Sequence, residues 1–186
     1  MNETAAAPRI VRFSEIEPTL RPGIEAGVDR IFFVSSSVQS FPSDDERTSF
    51  RERWLGRYLR HDPCWAYVAL DREGRVAGYV IGAVDDPARA ERFADIPYFR
   101  PWAHLTAEYP AHLHINVAPE WRSSGLGARL IEAFVADARA TGVPGVHVAT
   151  GEGMRNVGFY LRNGFAHLAT LEQAGKRPVV FLGRRL

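Results

Sequence analysis

Apolar residues recur every three or four positions in two stretches near the start of the chain. The members of the two sets are Ile24, Val28, Ile31 and Phe32, and Phe50, Trp54, Leu55 and Tyr58. This spacing places each set on one face of a helix, so the sequence predicts two amphipathic helices. The second is preceded by SDDER at 43–47, which offers a capping residue and an acidic first turn.

Strict alternation of apolar and polar residues predicts one strand at 112–117, HLHINV, where every second residue is apolar. Other β-rich runs lie at 8–13, 65–70, 75–84, 143–150, 165–171 and 178–182. The runs at 65–70 and 75–84 flank an Asp/Gly turn, which predicts an antiparallel hairpin.

Two further helices follow the 112–117 strand. The first has an apolar face of Leu126, Leu130, Ile131, Phe134, Val135 and Ala138 and ends before Gly142; the second covers 154–164 and ends at Gly164. Residues 85–111 form a long excursion with room for one short helix. The predicted fold class is α+β, with a mixed, mostly antiparallel central sheet and helices on both faces.

Composition narrows the functional classes. A chain of 186 residues without a linker-like segment predicts one domain, 1–186. A net charge of +1 gives no electrostatic reason to expect nucleic acid or a membrane as partner. Cys64 is the only cysteine, so it cannot form an internal disulfide, and we expect it to be buried. The first ten residues lack a signal-peptide pattern, so we expect a cytoplasmic protein, with a homodimer as the candidate assembly.

The stretch PEWRSSGLGARL, 119–130, predicts an anion site. It joins the 112–117 strand to a helix, and the first amides of a helix are unpaired and carry partial positive charge. Gly125 and Gly127 allow close approach of a phosphate to the main chain, and Arg122 and Arg129 add charge.

Several alternatives to this interpretation remain open. Ser123 or Ser124 would only cap the helix if the glycines merely form a tight turn. A P-loop lacks its Lys-Ser/Thr pair, and a dinucleotide fingerprint has Leu130 in place of its third glycine. A zinc site formed by three histidines, His112, His114 and His147, is a further alternative.

Two motifs in the second half of the chain resemble the signatures of the GNAT acyltransferase superfamily. INVAPEWRSSGLGARLI at 115–131 contains Arg122-x-x-Gly125-x-Gly127 after a strand with an apolar-x-Val-x-Pro ending. NVGFYLRNGF at 156–165 is similar to the family's helix-borne Phe-Tyr-x-x-x-Gly-Phe. Part of the first motif, extended back to Tyr109, also resembles acetyltransferase-like domains related to O-GlcNAcases.

The resemblance implies an acetyl-CoA-dependent N-acetyltransferase, with no metal, acting on an amine of a small molecule or peptide. It implies that the main chain of Ile115, Asn116 and Val117 pairs with the pantetheine arm. It implies that the coenzyme pyrophosphate is held by one continuous segment: Arg122, Ser123, Ser124, Gly125, Leu126, Gly127, Ala128 and Arg129. Tyr160 would protonate the leaving thiolate, a role that suits a phenol with its usual pKa near 10.

One family position differs in this chain. Many members carry asparagine seven residues before the tyrosine, and here that residue is Gly153; Asn156 is the candidate substitute. A general base is less evident, and His114 on the polar side of its strand is the candidate. The alternative function is a non-catalytic module that keeps the fold and the coenzyme.

Overall fold

The computed structural model describes residues 7–186, so the first six residues, on which the signal-peptide expectation partly rests, lie outside the described residues. The helices are α1 Arg21–Ser35, α2 Asp44–Arg51, α3 Arg57–His61, α4 Ala103–Glu108, α5 Leu126–Ala140 and α6 Arg155–Arg162. The strands are β1 Arg9–Arg12, β2 Tyr67–Leu70, β3 Val76–Ala83, β4 Ala111–Val117, β5 Gly145–Gly151, β6 Ala166–Gln173 and β7 Lys176–Arg185. The predicted order of elements is confirmed.

The strands form one seven-stranded sheet in the order β1-β2-β3-β4-β5-β7-β6. β4 and β5 run parallel, whereas β1–β2, β2–β3, β5–β7 and β6–β7 are antiparallel. The register between β4 and β5 covers two residue pairs, Ala111 with Val146 and His112 with His147, although both strands continue beyond them. The predicted α+β class with a mixed, mostly antiparallel sheet is therefore confirmed.

The chain divides into two compact units, and the first contains the residues up to Gly82 together with His114–Phe134. On one face of its sheet, the ring of Phe32 in α1 contacts the His114 ring on β4. On the other face, a Cβ added to Gly78 would lie 3.3 Å from a methyl carbon of Leu130 in α5. Within this unit, helices therefore cover both faces of the strands.

The second unit contains Ala83–Leu113 and Val135–Leu186. Its core is aromatic, with Trp102, Tyr109 and Phe181 as one buried cluster. The excursion between β3 and β4 supplies much of this core, because Phe93, Ile96 and Phe99 are buried there as well. The aromatic residues of the excursion thus fill the interior of this unit, and α4 is its short helix.

Three details refine the predicted elements. Ser43 caps α2, accepting a hydrogen bond from the Glu46 amide at 3.2 Å, as its sequence predicts. Between α2 and α3 the segment Glu52–Gly56 is π-helical, which the apolar spacing did not reveal. Cys64 is exposed, so the expectation that it is buried was wrong: it lies in a surface turn, Pro63–Trp65, before β2.

Across residues 7–186, no helix combines the length and the apolar character that crossing a bilayer requires.

Candidate functional site

The turn between β4 and α5 has an unusual main-chain geometry. A short 3₁₀ segment, Pro119–Trp121, comes first, and Ser123 and Gly125 then have positive φ angles of 64° and 82°. Ser123 is the only non-glycine residue with positive φ among residues 7–186. Such a conformation costs on the order of 1 kcal/mol for a residue with a Cβ and is concentrated at ligand-binding sites.

Ser124 caps the start of α5. Its hydroxyl donates to the Trp121 carbonyl at 2.7 Å, and its oxygen lies 3.4 Å from the Leu126 amide. No described residue accepts a hydrogen bond from the amides of Gly127 and Ala128. Ser124 therefore caps the helix, as the alternative predicted, but it pairs with only one amide, that of Leu126. The amides of Gly127 and Ala128 remain available as donors at the start of this helix.

Two arginines add positive charge beside these amides. Arg122 Nε donates to the Val117 carbonyl at 3.3 Å and its Nη2 to Ser35 Oγ at 3.4 Å. Arg129 Nη2 donates to the Pro8 carbonyl at 2.9 Å. These partners are uncharged, and neither arginine has a carboxylate partner in the described part of the chain. Together with the positive end of the helix dipole, they favour an anion here.

The second half of β4 carries the residues predicted to lie along the pantetheine arm. Ile115, Asn116 and Val117 are partly buried. Asn116 is fixed by its side chain, whose Nδ2 donates to the hydroxyl of the buried Tyr79 at 2.8 Å. This hydrogen bond was not predicted, because Tyr79 lies in an otherwise apolar strand with no chemical signal of its own.

His114 is partly exposed as a residue, but its Nδ1 atom is shielded from solvent and has no hydrogen-bond partner in the described chain. Burial lowers the pKa of His114 to about 4, so the imidazole is neutral near pH 7. A neutral ring can accept a hydrogen bond, whereas a pKa this low makes it a weak base toward a free ammonium ion.

Tyr160 lies on α6 and is 3% exposed. Its ring packs against Phe159 and Phe165, with centroid distances of 5.4 and 5.6 Å. Burial raises the pKa of the phenol above its ordinary value, so the hydroxyl stays protonated. The side chain is therefore kept as a proton donor.

The turn that precedes α6 contains Gly153, whose φ is +69°. Asn156, one turn before Tyr160, has its amide oriented by Thr150, whose hydroxyl donates to the Asn156 Oδ1 at 3.0 Å. The Asn156 NH₂ group therefore remains a donor. The contribution of Thr150 could not be predicted, since it depends on β5 and α6 being adjacent.

His112 and His147 belong to the second unit and face each other across the β4–β5 pairing, with ring centroids 5.5 Å apart. The His147 ring stacks on Phe181 and its Nδ1 contacts the Tyr109 carbonyl. Burial lowers the pKa to about 4 for His112 and about 3 for His147. No group of three His, Cys, Asp or Glu residues within 7–186 has the arrangement of a metal site, so the three-histidine zinc alternative was wrong.

The predicted site residues thus fall into two groups. The first unit brings together His114, Ile115–Val117 and the segment Arg122–Arg129. The second unit holds Asn156 and Tyr160 on α6. The first group has main-chain amides that bond to no described residue, as binding a phosphate requires. The second group has a buried phenol that stays protonated, as protonating a leaving group requires.

Comparison with known proteins identifies relatives. Residues 31–165 match the model of the acetyltransferase (GNAT) family. The crystal structure of SsHAT is similar at 26% identity, covering 97% of this chain and 98% of that one, with a TM-score of 0.69. Ard1 from Thermoplasma volcanium is 18% identical over 97% of this chain and 99% of its own, with a TM-score of 0.59. A NatC complex solved with Gag peptide and CoA is similar at 13% identity over 96% and 99%, with a TM-score of 0.62.

Proposed function

The chain belongs to the acetyltransferase (GNAT) family, and from this premise we propose that it transfers an acetyl group from acetyl-CoA to an amine. The reaction is a direct attack of the amine nitrogen on the thioester carbonyl. A C–N bond forms, the C–S bond breaks, the nitrogen gives up one proton to a base, and the thiolate takes up a proton supplied by the protein. The observation that carries the proposal is the start of α5, where unpaired amides and two arginines without acidic partners meet.

Acetyl-CoA brings a pyrophosphate, and the segment Arg122–Arg129 offers the donors that such a group needs. The amides of Gly127 and Ala128 make no bond to a described residue, and Gly125 and Gly127 carry no side chains. Charge-assisted hydrogen bonds from main-chain amides and guanidinium groups to phosphate are stronger than neutral ones. We propose that these residues hold the pyrophosphate.

We propose that the main chain of Ile115, Asn116 and Val117 pairs with the pantetheine arm. The β4–β5 register supports this role, because its two residue pairs end at His112 and the strand continues to Val117. The NH₂ group of Asn156, held by Thr150, is the proposed donor that replaces the family's asparagine at Gly153.

Tyr160 is the proposed acid. Its raised pKa keeps the phenol protonated but also makes it a weaker acid than a thiol, so we propose that its hydroxyl donates a hydrogen bond to the sulfur and passes on the proton only as the C–S bond breaks. His114 is the proposed group that takes the proton of the attacking nitrogen, because burial lowers its pKa and keeps its ring neutral. It acts on the neutral amine, or on the more acidic nitrogen of the tetrahedral intermediate, because a histidine with a lowered pKa cannot strip a proton from a free alkylammonium ion.

The test combines binding with turnover. We expect acetyl-CoA to raise the melting temperature of the protein, and free thiol to appear with at least one amine in a panel of small amines and peptide N-termini. The variant Arg122→Gln retains a hydrogen-bonding side chain but removes the charge. We expect acetyl-CoA to raise its melting temperature by less than it raises that of the unaltered protein. A melting temperature that does not change when acetyl-CoA is added would refute the proposed site.

A second function is favoured by two specific observations. Gly153 replaces a family asparagine, and the only polar side chain assigned to the amine is the weakly basic His114. A non-catalytic module that binds coenzyme A would fit both observations. It predicts stabilisation by acetyl-CoA and by free CoA, with no thiol release for any amine in the panel.

A further inference from the structure

The end of β4 is held by three successive residues of the neighbouring strand β3, Ala77, Gly78 and Tyr79, which we call the β3 clamp. We propose that Tyr79 is a positioning residue for coenzyme binding: through Asn116 it fixes the end of β4 in the orientation that binds the pantetheine arm. The identity of the ligand rests on the proposed function, whereas the contacts within the sheet do not.

The first two contacts of the β3 clamp involve the main chain. The Ala118 amide, directly after β4, donates to the Ala77 carbonyl at 2.9 Å. Gly78 has no side chain, and a Cβ built there would lie 3.1 Å from the Asn116 carbonyl oxygen and 3.4 Å from the Val117 Cα. A glycine inside a strand often marks such a close approach of another backbone. The two strands therefore lie tightly together at this point.

The third contact of the β3 clamp joins two side chains. Asn116 Nδ2 donates to the Tyr79 hydroxyl at 2.8 Å, and Tyr79 is fully buried whereas Asn116 is partly exposed. Side-chain pairs across neighbouring strands stabilise the pairing of those strands. Because one end of the Asn116 amide is bonded to a buried group, a rotation of β4 about its own axis would break this hydrogen bond.

These contacts determine which main-chain groups of β4 face away from β3. The N–H and C=O groups of successive residues in a strand point to opposite edges. The Ala118 amide and the Asn116 carbonyl both face β3, so the main-chain groups of Ile115 and Val117 face the other edge. The Val117 carbonyl is already bonded to Arg122 Nε at 3.3 Å. The Val117 amide and the main chain of Ile115 therefore face the proposed pantetheine arm, and Asn116 contributes through the β3 clamp.

A strand edge binds an extended ligand more tightly when the edge is already rigid. An extended chain that adds to a sheet edge gains affinity from main-chain hydrogen bonds, and each bond depends on the direction of its donor and acceptor. Ordering the edge during binding costs affinity, so fixing it beforehand removes that cost. The β3 clamp fixes the part of β4 that lies beyond its register with β5. Tyr79 therefore acts on the affinity for the coenzyme and not on the chemical step.

Tyr79→Phe removes the hydroxyl and keeps the buried ring. We expect the dissociation constant for acetyl-CoA, measured by calorimetry, to rise about three- to tenfold, the effect of one lost hydrogen bond, and kcat at saturating acetyl-CoA to change less than about twofold. Tyr67→Phe is the control, because it removes the hydroxyl of a buried tyrosine on the neighbouring strand β2. An unchanged dissociation constant in Tyr79→Phe, or an equal rise in Tyr67→Phe, would overturn the proposal.

A double-mutant cycle tests whether Tyr79 acts through Asn116. Asn116→Ala removes the same hydrogen bond from its other end. If the two residues act through this one bond, the double variant Tyr79→Phe/Asn116→Ala should bind acetyl-CoA about as weakly as Asn116→Ala alone. Losses that multiply in the double variant would show that the two residues act independently, and would contradict the positioning role.

Hydrogen exchange measures the β3 clamp without any ligand. We expect the Ala118 amide to exchange about three- to tenfold faster in Tyr79→Phe, while the amides of β2 keep their exchange rates. Unchanged exchange at Ala118, or faster exchange throughout the sheet, would contradict a local positioning role. A protein that shows the expected change at Ala118 but binds no acetyl-CoA would refute the proposed function, and with it the identity of the ligand, and would leave the β3 clamp in place.

Discussion

Helices α5 and α6 both follow a strand and a glycine turn, yet they offer opposite chemistry to the proposed reaction. At α5, the exposed turn offers main-chain amides and the guanidinium groups of Arg122 and Arg129. On α6, the contributing side chain is Tyr160, which is 3% exposed and surrounded by phenylalanine rings. One helix contributes its backbone at its start, and the other contributes a side chain from its middle.

The difference follows from what each group must do. A phosphate is strongly hydrated and arrives with charge, so its site needs accessible donors and little desolvation of the protein. A proton donor must stay protonated until the thiolate forms, and burial ensures this by raising the pKa of the phenol. Binding energy and chemistry are therefore supplied by separate elements, which predicts that mutations will separate them too.

The largest effect is expected from Tyr160→Phe. The ring and its packing stay, so we expect the free energy of unfolding to change by less than about 1 kcal/mol. Loss of the proton donor should lower kcat about 100-fold or more, with the KM for acetyl-CoA nearly unchanged. Steady-state thiol-release kinetics and urea unfolding measure the two quantities. If kcat is unchanged by the substitution, Tyr160 has no part in the chemistry.

The pH profile tests the same phenol. Because burial raises the pKa of Tyr160 above about 10, we expect no loss of kcat from its ionisation up to about pH 9.5. A descending limb with an apparent pKa below about 9, absent from Tyr160→Phe, would show that the phenol is not held protonated.

A medium effect is expected from Gly125→Ala. With φ at +82°, an alanine there costs roughly 1–2 kcal/mol of stability and shifts the amides that follow. We expect the KM for acetyl-CoA to rise about tenfold, because the shifted amides lose about one charge-assisted hydrogen bond to the phosphate. Gly142 is a matched control, because its φ is +81° and both positions have open space for a Cβ.

Gly142→Ala should therefore lose similar stability and leave the KM for acetyl-CoA unchanged. The comparison is made by urea unfolding and by thiol-release kinetics under the same conditions. Equal changes of KM in the two variants would mean that the turn before α5 affects binding only through overall stability.

Ionic strength should change the KM for acetyl-CoA, which depends on α5, more than kcat, which depends on α6. Raising salt from about 0.05 M to about 0.5 M screens the exposed charges at α5, so the KM for acetyl-CoA should rise several-fold. The side chain of Tyr160 is buried, so salt should screen its action little and kcat should change little. The KM of Arg122→Gln should depend less on salt; an equal dependence would remove Arg122 from the phosphate site.

The smallest effect is expected from Gly153→Asn, which restores the residue that many family members carry. Asparagine tolerates the φ of +69° better than most residues, so stability should change by less than about 0.5 kcal/mol. We expect the KM for acetyl-CoA to fall two- to fivefold, about the contribution of one added hydrogen bond. Gly153→Ala serves as the control, and an improvement there would point to the turn rather than to the amide.

Local patterns were sufficient to predict most of the fold. The alternation at 112–117 and the apolar face from Leu126 to Ala138 depend only on neighbouring residues, and the structure places β4 and α5 there. The family motifs were equally local. The π-helical turn was not predictable, because Trp54 and Leu55 fit an α-helical spacing as well, and neither were the orienting contacts of Tyr79 and Thr150.

The two histidines of β4 show what the sequence determines and what depends on the tertiary structure. The sequence by itself determined that His112 and His114 share one side of a strand, because side chains alternate with a period of two. Only the tertiary structure decided their surroundings: His112 lies against Phe93 and His147, while the ring of His114 packs edge-to-face against Phe32. These partners come from distant parts of the chain, and the burial that lowers each pKa exists only once those parts have packed.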